Sequence, residues 1–372
     1  FDYREDAVAN CDFEGWHVRL SGPLTPGQGF AAIVPNNRTM DLDGPPNTGT
    51  INYGPITKTA GNTTFAQGLN QVGNPYPSPL SWNDFASYNP NLAGTAYIWE
   101  SSGFYGGTFQ PLSSLLPNTN IASFQAFQVV WAGSFTNSAQ VTFENSQRVA
   151  GNDAFLRNAQ NYDHRIDLIV DGNGYADRTY LFFVDGASDA FDISLDGYKM
   201  ESGAGQPTLY SDINGDMASI NAKDNLSPQS SFDIGFEPGT NGSYSISAEQ
   251  LESLPAGVLT YLIDHQTGNW HLLNEGPYSF NSLVSDPSGR FEIVFSPQIE
   301  LSANKADCDG QNGEISSSQL SGIINGSAFS WDEIRILDDQ TNLISLIPNS
   351  DGNFNLSSLS PGTYQIDLIE GS

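Results

Sequence analysis

The sequence predicts an all-β chain of tandem β-sandwich or jelly-roll domains, and three observations predict it. Short apolar runs, alternating or continuous, recur throughout with turn residues between them, and the 372 residues include 37 Gly and 21 Pro. Such spacing belongs to short strands joined by turns, not to long helices. Hairpin signals stand between matched runs: Asp171-Gly-Asn-Gly174 separates Ile166–Val170 from Arg178–Val184, and His265-Gln-Thr-Gly268 separates Leu259–Asp264 from Asn269–Leu273. The chain is 38% hydrophobic and 12% aromatic, enough to fill real cores.

In order, residues 1–150 read as a first sandwich. His17–Leu20 alternates and Gly29–Val34 is a buried-type run. Thr48–Tyr53 and Ile56–Thr59 are expected to pair as a hairpin. The stretch 68–84 has Pro75, Pro77 and Pro79 at alternate positions. Each fixes φ and removes a donor, and each pushes its predecessor toward extended backbone. A stiff structural loop follows, with Tyr76 and Trp82 among the side chains that anchor it, and Tyr76-Pro77 is the favoured cis bond. Phe124–Trp131 has apolar residues on both faces, as a mid-sheet strand does, and Val141–Phe143 closes the domain.

A second sandwich spans 151–298, after a polar connector. Ser231–Phe236, Gly242–Ser247 and Arg290–Phe295 continue the strand pattern, with one helical turn within 248–254. A third unit, 299–372, has Trp331–Leu337 as its central strand.

The first 150 residues resemble a domain of large secreted and cell-surface proteins of Bacteroidota, exported by the type IX secretion system. The resemblance rests on Gly73-Asn-Pro-Tyr-Pro-Ser-Pro79 followed by Trp82, and on Gly15-Trp16 with Leu24-Thr-Pro-Gly-Gln-Gly-Phe30. Ser123–Phe127 and Val141–Arg148 complete it, in the same order as in the family. The segment after it is similar to the β-sandwich that follows that domain, through Asp196-Gly-Tyr-Lys199, Leu262-Ile-Asp264 and Arg290-Phe291. Residues 308–366, opened by Cys308-Asp-Gly-Gln-Asn-Gly and ended by Leu359-Ser-Pro-Gly-Thr-Tyr364, resemble one immunoglobulin-like repeat of the gliding-adhesin type. The resemblance implies an extracellular or cell-surface, structural or adhesive protein. Its partners would be copies of itself or other domains of one longer polypeptide, of which this chain is read as a processed piece.

Charge narrows the partners. With 13 basic against 42 acidic residues the net charge is -29, which disfavours nucleic acid. No apolar run is long enough to span a membrane as a helix. Cys11 and Cys308 are too few to staple a scaffold and are read as free thiols.

No catalytic constellation stands out, and the chain is read as a non-enzyme without an organic cofactor. None of His17, His164, His265 and His271 lies in a nucleophile motif, and His271 is expected to point outward from Trp270. Calcium is the one metal with a candidate site: Asp212, Asn214 and Asp216 place oxygen donors at alternate positions, like half of an EF-hand loop. Asp171, Asn173 and Asp177 form a second cluster, and Asp307, Asp309, Asn312 and Glu314 a third, although Asp-Gly and Asn-Gly are also plain turn formers. A second functional class is a carbohydrate-binding module of a secreted enzyme. Its glycan platform would be Trp99, Phe104, Tyr105 and Phe109, residues that alternatively pack under the proline loop.

Overall fold

The computed structural model describes residues 1–7, 15–18, 24–32, 44–60, 67–101, 107–116, 120–150, 164–200, 203, 205–227, 230–297, 299–304, 312–319, 323–324, 327–328, 331–338, 340–350 and 354–369. Cys11, Cys308, Phe104, Tyr105, Asp307 and Asp309 lie outside them. The described chain is nearly all β, as the turn spacing predicts. Its one α-helix is the seven-residue Trp82–Tyr88, with short 3-10 turns elsewhere.

The first core lies between a four-stranded sheet and a two-stranded one. The sheet runs Leu69–Gly73, Ala126–Trp131, Leu92–Ser101, Gly107–Ser113, and the facing pair is Ile51–Lys58 with Thr136–Phe143. Val72, Phe127, Val129, Ala96 and Leu112 meet Ile56, Val141 and Phe143 across the gap. Ala126–Trp131 is an inner strand of this sheet. Its two apolar faces have separate uses: Phe127 and Val129 enter this core, while Val130 enters a cluster on the opposite side.

Two sequence expectations give way here. Ile51–Lys58 is one continuous strand, not half of a hairpin, and pairs with residues 92 to 78 positions downstream, Phe143↔Ile51 to Thr136↔Lys58. The ladder shifts register beside Gly54, where a β-carbon would lie 2.6 Å from the Ala139 carbonyl oxygen. The glycine therefore serves a close approach of two strands rather than a turn. The cis peptide among the described residues is Gly54-Pro55, not Tyr76-Pro77.

The helix Trp82–Tyr88 also lacked a forecast. Ser81 caps it, its side chain accepting from the Asp84 N–H, and Asp84 places an acid in the first turn. Its inward residues Trp82 and Phe85 are fully buried, and Phe85 stacks on Phe143 with ring centroids 4.7 Å apart. Tertiary burial holds so short a helix, because one of this length is marginal alone.

The second core is enclosed by one long curled sheet. Its order is Asn269–Leu272, Val258–Asp264, Gly289–Pro297, Ser231–Glu237, Thr208–Ile213, Asp216–Lys223, Tyr175–Phe183, Arg165–Gly172, Gly242–Glu249, Tyr278–Ser282. The pairings are antiparallel except that of Tyr175–Phe183 with Asp216–Lys223. Inward residues alternate as sheet pleating requires: Ile166, Leu168 and Val170 share the interior with Phe232, Ile234, Phe236, Phe291, Ile293 and Phe295. Both hairpin signals hold. At Asn173 and Gly174 φ is 54° and 81°, the left-handed pair of a two-residue hairpin turn.

A third, small core lies between two three-stranded sheets. One has Gly313–Gln319 at its centre and the other Trp331–Asp338, flanked by Leu343–Ser350 and Tyr364–Ile369. Ile334, Ile336 and Phe354 fill it.

Candidate functional site

The proline loop is built from the core outward. Tyr76 and Leu80 are fully buried, and Asn74 is nearly so. The Asn74 amide donates to the carbonyls of Ser78 at 2.9 Å and Ala122 at 3.0 Å, and its Oδ1 accepts from the Tyr76 N–H at 3.0 Å. One side chain thus satisfies backbone groups that the prolines leave without ladder partners. The Tyr76 hydroxyl donates to the Gly49 carbonyl at 2.6 Å, and burial pushes that phenol up to about 12. The Arg148 guanidinium lies 5.2 Å from the Tyr76 ring centre and donates through Nε to the Ser78 hydroxyl at 2.7 Å. Trp82 donates from Nε1 to the Gly94 carbonyl at 3.2 Å. Pro75, Tyr76, Pro77, Pro79 and Trp82 therefore lie in one locked corner that holds the two sheets of the first core.

Asp212, Asn214 and Asp216 occupy a tight hairpin turn. Asn214 and Gly215 take φ of 55° and 96°, and Asp212 Oδ1 accepts from the Gly215 N–H at 2.6 Å. Asp216 pairs with Ile213 and Asp212 with Met217, so the two acids fall on opposite faces of the ladder. The second cluster also separates. Asp177 is buried, bonded to Lys199 Nζ at 2.7 Å and to the Leu209 N–H at 2.7 Å, whereas the Asn173 amide donates to Thr240 and Tyr244. Among the described residues no three or more His, Cys, Asp or Glu side chains gather where they could hold a metal ion.

Trp99 and Phe109 are cross-strand partners, with rings 4.9 Å apart at 66°. Trp99 is 42% exposed, while Phe109 packs toward the outer cluster of the first sheet. The edge-on pair offers a single exposed ring rather than a flat platform. Among the described side chains the most exposed tryptophan is elsewhere: Trp270 is 65% exposed and sits edge-on to Tyr261 at 6.2 Å. The expectation for its neighbour is reversed. His271 stands opposite Leu262, an inward residue, and its Nε2 lies 2.9 Å from the Gly276 carbonyl oxygen, so Trp270 takes the outward position. His265 faces Glu292 at 3.2 Å.

Sequence reasoning missed how the first two units meet. The segment Asp192–Met200 of the second unit lies against the outer face of the first sheet. Ile193, Tyr198 and Met200 join Leu69, Ala93, Tyr97 and Val130 there, and the Gly94 N–H donates to the Ile193 carbonyl at 2.9 Å. Leu115 and Leu116 of the first unit cover Tyr180, Phe182, Ile220 and Ala222 of the second. Asp196 organises the segment, accepting from the Asp192 N–H at 2.7 Å and the Ala222 N–H at 2.8 Å. Burial pushes its carboxyl up to about 6 against these two bonds, and the nearby Asp192 adds to the rise. The only sequence sign was the apolar character of both faces of Ala126–Trp131.

Charged clamps tie the second sheet. Asp264, at the end of its strand, accepts from Arg290 Nε at 3.0 Å and Nη2 at 2.7 Å and from the Tyr278 hydroxyl at 2.9 Å. Burial would raise this carboxyl, but the Arg290 and Tyr278 bonds outweigh it and hold it at about 2. Arg290 itself lies against Phe280 and Phe291, 4.7 and 5.0 Å from their ring centres. Asp167 is clamped by Arg165 and Arg178, and Arg178 reaches on to Glu249. These side chains are committed to one another, with geometry that holds strands rather than aligns reactants.

The geometry defines a class: an all-β chain of tandem sandwiches, its first two units interlocked through buried side chains. Residues 1–106 and 102–295 match a domain of unknown function, DUF8693, and the chain belongs to that family. It is similar to the minor fimbrium subunit Mfa5 of Porphyromonas gingivalis, with 24% identity over 293 residues covering 70% of this chain and 23% of that protein. The chain thus spans less than a quarter of the length of this curated relative. No solved structure matches. Among the described residues no helix is long and apolar enough to cross a membrane.

Proposed function

We propose that this chain is a non-enzymatic structural and adhesive segment of a cell-surface appendage, used for attachment to surfaces or other cells. The observation that carries the reading is the similarity to a fimbrium subunit over 70% of this chain. The interlocked sandwiches and clamped charges support it, since a load-carrying element needs fixed geometry more than a reactive cleft. In this reading the protein reaches the exterior by type IX export, and its partners are copies of itself or other domains of one long polypeptide. The net charge of -29 makes such copies repel at low ionic strength, because the Debye length is about 30 Å at 0.01 M salt and about 8 Å at 0.15 M.

The test is immunogold labelling of intact cells with antibody raised against this chain. Label along surface filaments or at their ends is expected. Label confined to the cell interior, or to freely soluble secreted material, would overturn the reading.

A further inference from the structure

We infer that the strand Leu343–Ser350 is a self-association edge, through which two copies of this chain pair antiparallel, strand against strand. The inference deepens the appendage reading and rests on it for its biological sense, but its chemistry is separate. Among the described residues this strand pairs on one side only, with Trp331–Asp338. An edge strand presents a row of backbone donors and acceptors to any extended partner. Natural proteins blunt such edges with short strands or charges. This one is eight residues long, and it exposes three large apolar side chains: Leu343 at 53%, Ile344 at 45% and Leu346 at 45%. The strand is nonetheless anchored from behind, where Ile347 stands opposite Ile334 and packs on the third core.

Charge and sequence together choose the occupant. From Gln340 to Ser350 the chain carries no ionisable side chain, within a protein of net charge -29. In the adjacent strand Arg335, opposite Leu346, is paired with Glu333. This window is therefore a place where two like-charged copies approach without bringing carboxylates together. The segment Leu343-Ile-Ser-Leu-Ile347 is also close to a palindrome in side-chain type. Antiparallel pairing centred on Ser345 places Ile344 opposite Leu346 of the other copy, and Leu346 opposite its Ile344. That reciprocity is what a two-fold, isologous contact requires. Alternation puts all four of these side chains on one face, as cross-strand apolar pairs shielding each other from water. Pro348, lacking an N–H, sets the far limit of the ladder.

The experiment is sedimentation velocity of the whole chain at about 0.15 M and about 1 M sodium chloride, where the Debye length falls from about 8 Å to about 3 Å. A concentration-dependent dimer is expected, with a larger dimer fraction at high salt. The double variant Ile344→Lys/Leu346→Lys should be monomeric at both concentrations, and Trp270→Ala should behave as the parent. Should the lysine variant lose its folded circular dichroism spectrum, Ser345→Cys in a Cys11→Ser/Cys308→Ser background decides. Residue 345 meets its own copy at the two-fold axis, and opposed strand Cα atoms about 4.5–5.5 Å apart lie within disulfide reach. A disulfide-linked dimer should form on mild oxidation. A parent chain that is monomeric at both salts, a folded lysine variant that still dimerises, or a Ser345→Cys chain that stays monomeric on oxidation overturns the inference. Those outcomes leave surface labelling of the appendage untouched, so the two readings fail separately.

Discussion

A β-carbon placed on Gly94 would lie 2.0 Å from the carbonyl oxygen of Ser194, a hundred residues downstream. That approach is closer than any real side-chain contact, and the atom it meets is backbone. Gly94→Ala must therefore push the segment around Ser194 off the first sheet. Overpacking of this kind costs about 1–3 kcal/mol. We expect the variant to unfold at lower urea, with the first two units separating into distinct steps, where the parent loses them together. Tryptophan fluorescence and limited proteolysis followed across the same titration would report it.

Asp196 gives that junction a pH dependence of unusual sign. Its carboxyl is held near 6 in the folded chain, above the ordinary aspartate value of 3.8. The folded state takes up a proton before the unfolded state does, so this group adds stability as pH falls from about 7 toward 4. Measured as melting temperature against pH, the parent should gain relative to Asp196→Asn over that interval. Equal slopes would remove the assignment.

Asp264 works in the opposite direction. Its folded value of about 2 lies below 3.8, so its contribution is present in full above the ordinary value. It is lost as pH falls through the window between the two. Asp264→Ala leaves Arg290 buried and unpaired, which costs about 3–5 kcal/mol. Arg290→Lys, with Asp264 in place, should retain only part of the parent's stability, since an ammonium cannot reproduce the two-pronged contact. Denaturant midpoints for the three chains at neutral pH would rank them.

Tyr76 offers a cleaner separation of terms. Tyr76→Phe keeps the buried ring and its contact with Arg148 but deletes the bond to the Gly49 carbonyl, for a loss of about 1 kcal/mol. Tyr76→Ala removes the ring as well and should approach the roughly 3–5 kcal/mol of a large aromatic truncation. Chemical denaturation monitored by far-ultraviolet circular dichroism distinguishes the two.

What the sequence revealed was local. The turn at Asn173-Gly174 announces itself because both residues tolerate left-handed backbone, and the strands on either side alternate from that point. Tyr76 and Trp82, apolar residues of the proline-rich stretch, are both buried in the first core. The contact of Gly94 with Ser194, the clamp of Asp264 by Arg290, and the run of Ile51–Lys58 beside Thr136–Phe143 join residues from 26 to about a hundred positions apart. No short-range pattern records such pairings. The acidic turn at Asp212 shows the converse: the residues of an ion-binding loop and of a hairpin turn are nearly the same, and only the ladder register separates Asp212 from Asp216. For the candidate site as a whole, side-chain types were readable while their partners were not.

The strand Gly289–Pro297 is bonded along both flanks, to Ser231–Glu237 and to Val258–Asp264, and one residue separates it from the strand Ile299–Asn304. A pull on the third unit is therefore delivered along the axis of a strand gripped from both sides. Its backbone bonds would have to shear together instead of opening one by one, as they would if an end strand were peeled. Were the chain put under tension, as the proposed appendage role would require, that arrangement would pass the load from one unit to the next while each keeps its shape.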